Sequence, residues 1–129
     1  MIINKIKDII QQDKRIAAVY VGDVLRNNEA NKRFPCVNID LDGATIDGYD
    51  VKTNFMFHVI DQTADDRSNE TQIQIDCIML LKEIFSNLIN NGISIELPAT
   101  CTTFSHRFAD QCAGAYCEII INDNNCIEL

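Results

Sequence analysis

Apolar residues recur at three- and four-residue spacing in two parts of the chain. The first part is residues 1–12, where five isoleucines form one stripe and predict a short helix. The second part carries a broader stripe formed by Ile73, Cys77, Leu80, Leu81, Ile84, Phe85, Leu88 and Ile89. Ser68 or Asn69 provides an N-cap and Gly92 a C-terminal stop. This pattern predicts one long helix that needs a sheet to lie on.

Alternation of apolar and polar residues predicts strands on both sides of the long helix. In residues 34–42 the alternation separates two faces: a core face with Val37, Ile39 and Leu41, and a solvent face with Asn38, Asp40 and Asp42. In residues 51–61 the core side carries Val51, Thr53, Phe55, Phe57 and Val59. Asp-Gly pairs at 42–43 and 47–48 mark turns, so the two segments predict an antiparallel hairpin. Further strands are predicted at residues 16–21, 93–97, 100–108 and 115–122, with an optional edge strand in the tail, 123–129.

The order of these elements is helix, strands, long helix, strands, which predicts an α+β fold. One long and one short helix then pack on one face of a mostly antiparallel sheet of about five to six strands. A length of 129 residues fits a single domain, residues 1–129, and no repeat or linker divides it. We expect neither a membrane-spanning helix nor a secretory signal, because charges interrupt every apolar run.

Charge and cysteine content narrow the classes of function. The formal net charge is −8 at pH 7, which disfavours an outer surface that wraps a phosphate backbone, since such binding needs clustered Lys and Arg. The six cysteines include no Cys-x-x-Cys pair, so we expect reduced thiols rather than disulfides. His106, Cys112 and Cys117 come nearest to a zinc cluster, but their spacing is wider than that of structural zinc sites.

A calcium loop is one candidate for metal chemistry. Asn38, Asp40, Asp42 and Gly43 resemble the opening of an EF-hand loop, which places oxygen ligands at alternate positions before a glycine. The pattern fails at Tyr49, where the loop needs a bidentate Glu. The acidic residues therefore fit the solvent face of a strand better than a calcium site, and no metal or cofactor is predicted.

Two enzymatic interpretations use other residues. A metal nuclease would place Asp40 and Asp61 on adjacent strands as carboxylate ligands, but no Glu-x-Lys accompanies them. A thiol enzyme would pair a cysteine with His58 or His106, and no Gly-rich oxyanion turn is present. The sequence therefore favours a protein without catalytic activity.

The order and lengths of the segments, taken together, resemble a pattern found in a known protein family. They are the opening helix, IAAVYVGDV, the polar loop after it, FPCVNIDL, TNFMFHVIDQTADD, the long helix SNETQIQIDCIMLLKEIFSNLIN, TTFSHRF and AYCEIIIND. In this order they resemble the tail-terminator and tail-completion proteins of tailed bacteriophages and the related neck-ring proteins. The resemblance implies a homo-oligomeric ring at the head–tail connector or tail end, which joins or terminates the tail around a DNA channel. It further implies a virion protein, made in the bacterial host cytoplasm. The Asn- and Ile-rich composition suits a phage of an AT-rich host, such as a crAss-like or podovirus-like phage.

The resemblance also implies partners. The chain would contact itself in a ring of about six or twelve copies, and neighbouring portal, connector or tail proteins, while DNA passes without specific binding and no membrane is involved. Acidic subunits need positive charge at their contacts, and residues 26–33 form a polar loop that holds it. We predict subunit contacts between this loop and a neighbour's acids, with candidates Arg26, Lys32, Arg33, Asp61, Asp65 and Asp66. Asp40 and Asp42 are candidates for the acidic surface or lumen. A nuclease, a thiol enzyme and a monomeric protein-binding adaptor stay open as alternatives.

Overall fold

The computed structural model describes residues 2–23, 33–64, 66, 68–105 and 112–122. Its elements follow in chain order as helix α1 (Ile2–Gln11), strands β1 (Ala18–Val21), β2 (Cys36–Asp47) and β3 (Asp50–Gln62), helix α2 (Glu70–Asn90), and strands β4 (Cys101–Ser105) and β5 (Cys112–Ile121). The fold is therefore α+β, as the sequence predicts. Neither helix in these described ranges is both long enough and apolar enough to cross a membrane.

The five strands form one mixed sheet in the order β1-β2-β3-β5-β4. β1 lies parallel to β2, and the other three pairings are antiparallel. β2 and β3 form the predicted hairpin, which turns at Gly48 with φ +62°, the positive φ that tight hairpin turns require. The prediction of a mostly antiparallel sheet is confirmed, with one parallel pair at its edge.

Both helices pack on the same face of the sheet, as predicted. The side chains buried there are Ile2, Ile6, Ile9 and Ile10 from α1, Cys77, Leu80, Leu81, Ile84, Phe85 and Leu88 from α2, and the inward residues of the strands. Leu81 is fully buried in this core, and the rings of Phe57 and Phe85 meet edge to face at 5.6 Å. α2 ends where predicted, because Gly92 adopts φ +88°.

The helix-free face of the sheet also has a buried centre. A second apolar cluster takes one residue from each strand: Ala18, Cys36, Ile60, Phe104 and Cys112. Gly114 lies beside this cluster, at a point where a Cβ atom would stand 1.9 Å from the carbonyl oxygen of Val59. β3 and β5 approach each other closely at this position, and only glycine fits.

The structure corrects three predicted boundaries. β2 continues to Asp47, because the pair 42–43 is part of the strand and not a turn. Residues 93–97 do not form a strand, and contribute only a bridge between Ile95 and Ile121. β5 begins at Cys112, earlier than predicted. Residues 106–108 and the predicted edge strand at 123–129 lie outside the described residues.

The structure also corrects the predicted burial of β2. Asn38, assigned to the solvent face, is 0% exposed, and Asp40 is half-buried, because that face of the sheet has its own buried cluster. Leu41, assigned to the core, is 60% exposed. In α2, Ile89 is 42% exposed, so the buried stripe ends at Leu88.

Candidate functional site

The end of the β2–β3 hairpin extends beyond the rest of the sheet. β1 ends at Val21, opposite Ile39, and β5 ends at Ile121, opposite Thr53. Residues 45–52 therefore pair only with one another in this sheet. We call this two-stranded ribbon the arm. At about 3.3 Å per residue, it reaches about 13 Å past the end of β5 and farther past the end of β1.

Large apolar side chains are exposed along this end of the hairpin. Leu41 is 60% exposed, Ile46 76% and Tyr49 101%; we call these three residues the arm patch. Leu41 is opposite Phe55 and Ile46 is opposite Val51, so both lie on the face of the sheet that carries the helices. The face that is buried in the body of the sheet is therefore exposed to solvent along the arm.

A β-bulge at Asp42 brings Leu41 and Ile46 to the same side. Leu41 is opposite Phe55 and Gly43 is opposite Asn54, so Asp42 is an extra residue in β2. In an unbroken strand Leu41 and Ile46 would point to opposite faces, because they are an odd number of residues apart. Sequence reasoning missed the bulge, although the pair 42–43 was its signal.

The two predicted lumen residues lie at the base of the arm. Burial raises the pKa of the Asp40 carboxyl, and the charges of Asp23 and Asp42 raise it further. Asp42 is exposed at the bulge. Asp47 and Asp50 are exposed on either side of the turn at the tip. This end of the molecule thus combines an exposed apolar patch with several carboxylates.

The predicted contact acids lie at the opposite end of β3. Asp61 is half-buried beside α2. Burial raises the pKa of its carboxyl, a hydrogen bond at 2.8 Å from the backbone N–H of Gln62 lowers it, and the charge of Asp76 raises it. Asp66 is exposed and accepts a hydrogen bond at 3.0 Å from the backbone N–H of Ser68, which lowers its pKa. Asp66 is therefore the more accessible of these two acids.

The basic side of the predicted subunit contact is only partly described. Arg33 is exposed just before β2, at the same end of the sheet as Asp61. Arg26, Lys32 and Asp65 lie outside the described residues. The contact between this loop and a neighbour's acids therefore stays a prediction.

A cavity of about 290 Å³ lies between α2 and the end of β3, with Arg15, Asp61, Asp76 and Cys77 in its wall. The guanidinium of Arg15 is engaged by an acid, since its Nε donates to Asp13 at 3.0 Å. Burial, followed by the charges of Asp61 and Asp76, raises the pKa of the Cys77 thiol to about 12. This thiol is protonated at neutral pH and is not an activated nucleophile.

The residues proposed for metal chemistry are not brought together. Asp40 lies on the helix-free face, whereas Asp61 lies on the helix side at the other end of the sheet. Asn38, the first position of the calcium-like pattern, is buried and donates its Nδ2 hydrogen to the Gly22 carbonyl at 2.9 Å. In the described ranges no group of three or more His, Cys, Asp or Glu is placed to hold a metal ion, and His106 lies outside them.

A row of polar and aromatic side chains crosses the helix-free face. Tyr20, Asn38, His58 and Tyr116 are opposite one another in neighbouring strands. The rings of His58 and Tyr116 stack at 5.2 Å, and His58 is 7% exposed. Sequence reasoning missed this row, although alternation places its members on one face. The stacking indicates that His58 packs within the sheet, away from bulk solvent.

Comparison of the sequence with protein-family models and with curated proteins gives no match. The features that bear on function are those of the chain itself. They are the exposed apolar arm, the carboxylates at its base and tip, and a half-buried acid at the opposite end of the sheet.

Proposed function

We propose that the protein is a structural subunit of a tailed-bacteriophage virion. It assembles into a homo-oligomeric ring at the head–tail connector or tail end, and joins or terminates the tail around a channel for DNA. The observation that carries this proposal is the arm patch, in which Leu41, Ile46 and Tyr49 are 60–101% exposed. Apolar side chains on a protruding ribbon add nothing to the subunit's own core, and exposed patches of this kind mark contacts with other proteins.

The charge distribution supports a channel through which DNA slides. The chain carries a net charge of −8, and Asp40 and Asp42 lie together at the base of the arm, where the charge of Asp42 acts on Asp40. A surface of this sign repels a phosphate backbone, so DNA passes without being held. In the proposed ring, Asp40 and Asp42 belong to the acidic surface or lumen.

The order of elements supports the proposal through the resemblance that the sequence carries. A short helix, a hairpin, a long helix and two closing strands occur in the sequence in the order of the segments that resemble tail-terminator and neck-ring proteins. An α+β subunit with both helices on one face projects its arm beyond the other strands, where a neighbouring copy can contact it.

Mass measurement of the purified protein tests the proposal. Native mass spectrometry and light scattering, over a range of concentrations and with neighbouring virion proteins added, should detect a closed ring of about six or twelve copies. Negative-stain electron microscopy should show a central channel. A monomer under every condition contradicts the proposal, and so does metal-dependent DNA cleavage that Asp40→Asn abolishes.

The basic loop gives a second test of ring assembly. Reversing the charge of Arg26, Lys32 and Arg33 should leave the fold intact and weaken assembly, with the largest deficit at low salt, because salt screens exposed charge pairs. Reversal of Lys5, Lys7 and Lys14, three cations outside this loop, is the matched control. If the loop variant assembles like the parent at low salt, the loop is not a contact.

A further inference from the structure

A second exposed apolar surface lies at the other edge of the sheet. A groove of about 250 Å³ runs between α2 and the start of β4, and Ile78, Phe85, Ile89, Leu97 and Cys101 line it. Ile89 is 42% exposed and Leu97 63%. This volume is below the about 300–1,000 Å³ of pockets for drug-sized ligands. The groove is the right size for one or two protein side chains.

The groove and the tip of the arm carry opposite charges. Lys82 is exposed in the wall of the groove, and within the described part of the chain no carboxylate forms an ion pair with it. Asp47 and Asp50 are exposed at the tip of the arm. The arm's own cation, Lys52, pairs with Glu96 with Nζ 2.8 Å from Oε1, and the charges of Asp47 and Asp50 also act on it, so three carboxylates share one ammonium. The tip is therefore negative where the groove is positive.

A subunit cannot place its arm in its own groove. The arm belongs to β2 and β3, the groove borders β4 at the edge of the sheet, and β5 lies between them. The chain from Ile95 to Cys101 also runs back along β5 from Ile121 to Cys117, whereas the ribbon continues past Ile121 in the opposite direction. Any contact between the two surfaces must therefore join two copies. Because the two surfaces differ, the contact is heterologous, and repeating it closes a ring when the rotation allows.

We propose that the arm patch of one subunit docks in the groove between α2 and β4 of the next copy. Tyr49 and Ile46 enter the apolar floor near Leu97, and Asp47 and Asp50 face the neighbour's Lys82. At many protein interfaces, an aromatic side chain at the centre of the contact contributes much of the binding energy, and a polar or charged rim surrounds it. This inference rests on the proposed ring and specifies the contact that builds it.

Surface substitutions test each half of the contact. Ile46→Asp combined with Tyr49→Ala removes the arm patch, and Leu97→Asp places a charge in the groove. Thr45→Asp is the matched control, because it adds the same charge to the same ribbon on its opposite face. All these side chains are exposed, so thermal unfolding should confirm an intact fold. We expect the arm and groove variants to stay monomeric where the parent and Thr45→Asp form rings.

Mixing the two defective variants identifies the pairing. The arm variant keeps an intact groove and the groove variant keeps an intact arm, so a mixture retains one productive contact per pair. Native mass spectrometry should detect heterodimers and nothing larger. If no heterodimer forms, or if either variant assembles like the parent, the arm–groove contact is overturned while a parental ring keeps the proposed function. A parent that stays monomeric overturns both.

A charge swap tests the orientation of the docked arm. Lys82→Glu should weaken assembly about fivefold at low salt and less at high salt. Adding Asp47→Lys and Asp50→Lys to that variant should restore assembly, because the pairing is then reversed. If Lys82→Glu assembles like the parent at low salt, or if the added lysines fail to restore assembly, the arm does not dock with its tip at Lys82.

Discussion

Replacing Gly114 with alanine tests how closely β3 and β5 approach each other. Gly114 lies opposite Ile60 in β3 and Phe104 in β4. A Cβ atom at this position would stand 1.9 Å from the carbonyl oxygen of Val59 and 3.0 Å from the Phe104 ring. Real Cβ atoms essentially never come closer than 3.0 Å to such atoms. The missing space, more than 1 Å, can come only from movement of the strand backbone.

Three contributions determine how much Gly114→Ala changes the free energy of unfolding. Forcing an extra methyl group into a packed region costs about 1–3 kcal/mol, and weakening one hydrogen bond between β3 and β5 adds about 1 kcal/mol. The lower entropy of the unfolded alanine chain offsets about 0.4–1 kcal/mol. Because the shortage of space exceeds 1 Å, the packing cost lies at the upper end of its range, and we expect Gly114→Ala to lower the free energy of unfolding by about 3 kcal/mol. That loss is a large share of the about 5–15 kcal/mol typical of a domain, and should lower Tm by about 10 °C.

Urea unfolding at 25 °C, followed by circular dichroism at a fixed low protein concentration, measures this change. Gly43→Ala is the matched control, because no atom lies within 4 Å of its added Cβ. The control should be as stable as the parent, or more stable by up to about 1 kcal/mol. If Gly114→Ala is as stable as Gly43→Ala, then β3 and β5 do not approach each other as described.

Three further substitutions address the core, the buried acid and the link between α2 and β4. Leu81→Asp places a charge where the side chain is fully buried, and should cost about 3–5 kcal/mol in urea unfolding; soluble protein with parental stability would contradict the packing of α2. Burial raises the pKa of Asp61, so the charged form of its carboxyl destabilises the fold above that pKa. Asp61→Asn should therefore raise Tm at pH 7, and this gain in Tm should disappear as the pH falls toward about 4. A gain that is independent of pH would show that burial of the charge is not its cause. Ser105 donates to Glu70 at 2.6 Å and accepts from Gln74 at 3.1 Å, so Ser105→Ala should cost about 1 kcal/mol in the same urea assay, whereas the exposed Thr103→Ala should cost less.

The elements with strong local signals could be predicted from the sequence. α2 follows from the spacing of its apolar stripe, and its end follows from the positive φ that Gly92 accepts. The hairpin follows from alternation on β2 and β3 with a turn at Gly48. In each case neighbouring residues along the chain contain the information, because helix and strand periods are local properties.

Features that depend on distant parts of the chain could not be predicted. Alternation on β2 placed Asn38 on the outside, but it does not reveal that the second face of the sheet is buried too. Nothing near β1 indicates that it pairs in parallel with β2. The arm patch could not be predicted for a related reason, because the extra residue Asp42 changes the face of the sheet on which Ile46 lies. Pairing registers are set by whole strands, and single residues give only weak signals for them.

The bulge at Asp42 is a position where a change in the chain would alter the shape of an assembly while the subunit keeps its fold. Leu41 and Gly43 are opposite Phe55 and Asn54, which are consecutive in β3, so we expect deletion of Asp42 to give an unbroken ladder and to leave the buried core in place. The deletion would reduce the local twist that a bulge adds, and so change the direction in which the arm leaves the sheet. In a closed ring, the angle from one copy to the next determines how many copies complete the circle. If the arm carries the contact, one residue outside the core sets the circumference of the ring, and a change of length at this position gives a wider or narrower ring from the same folded subunit.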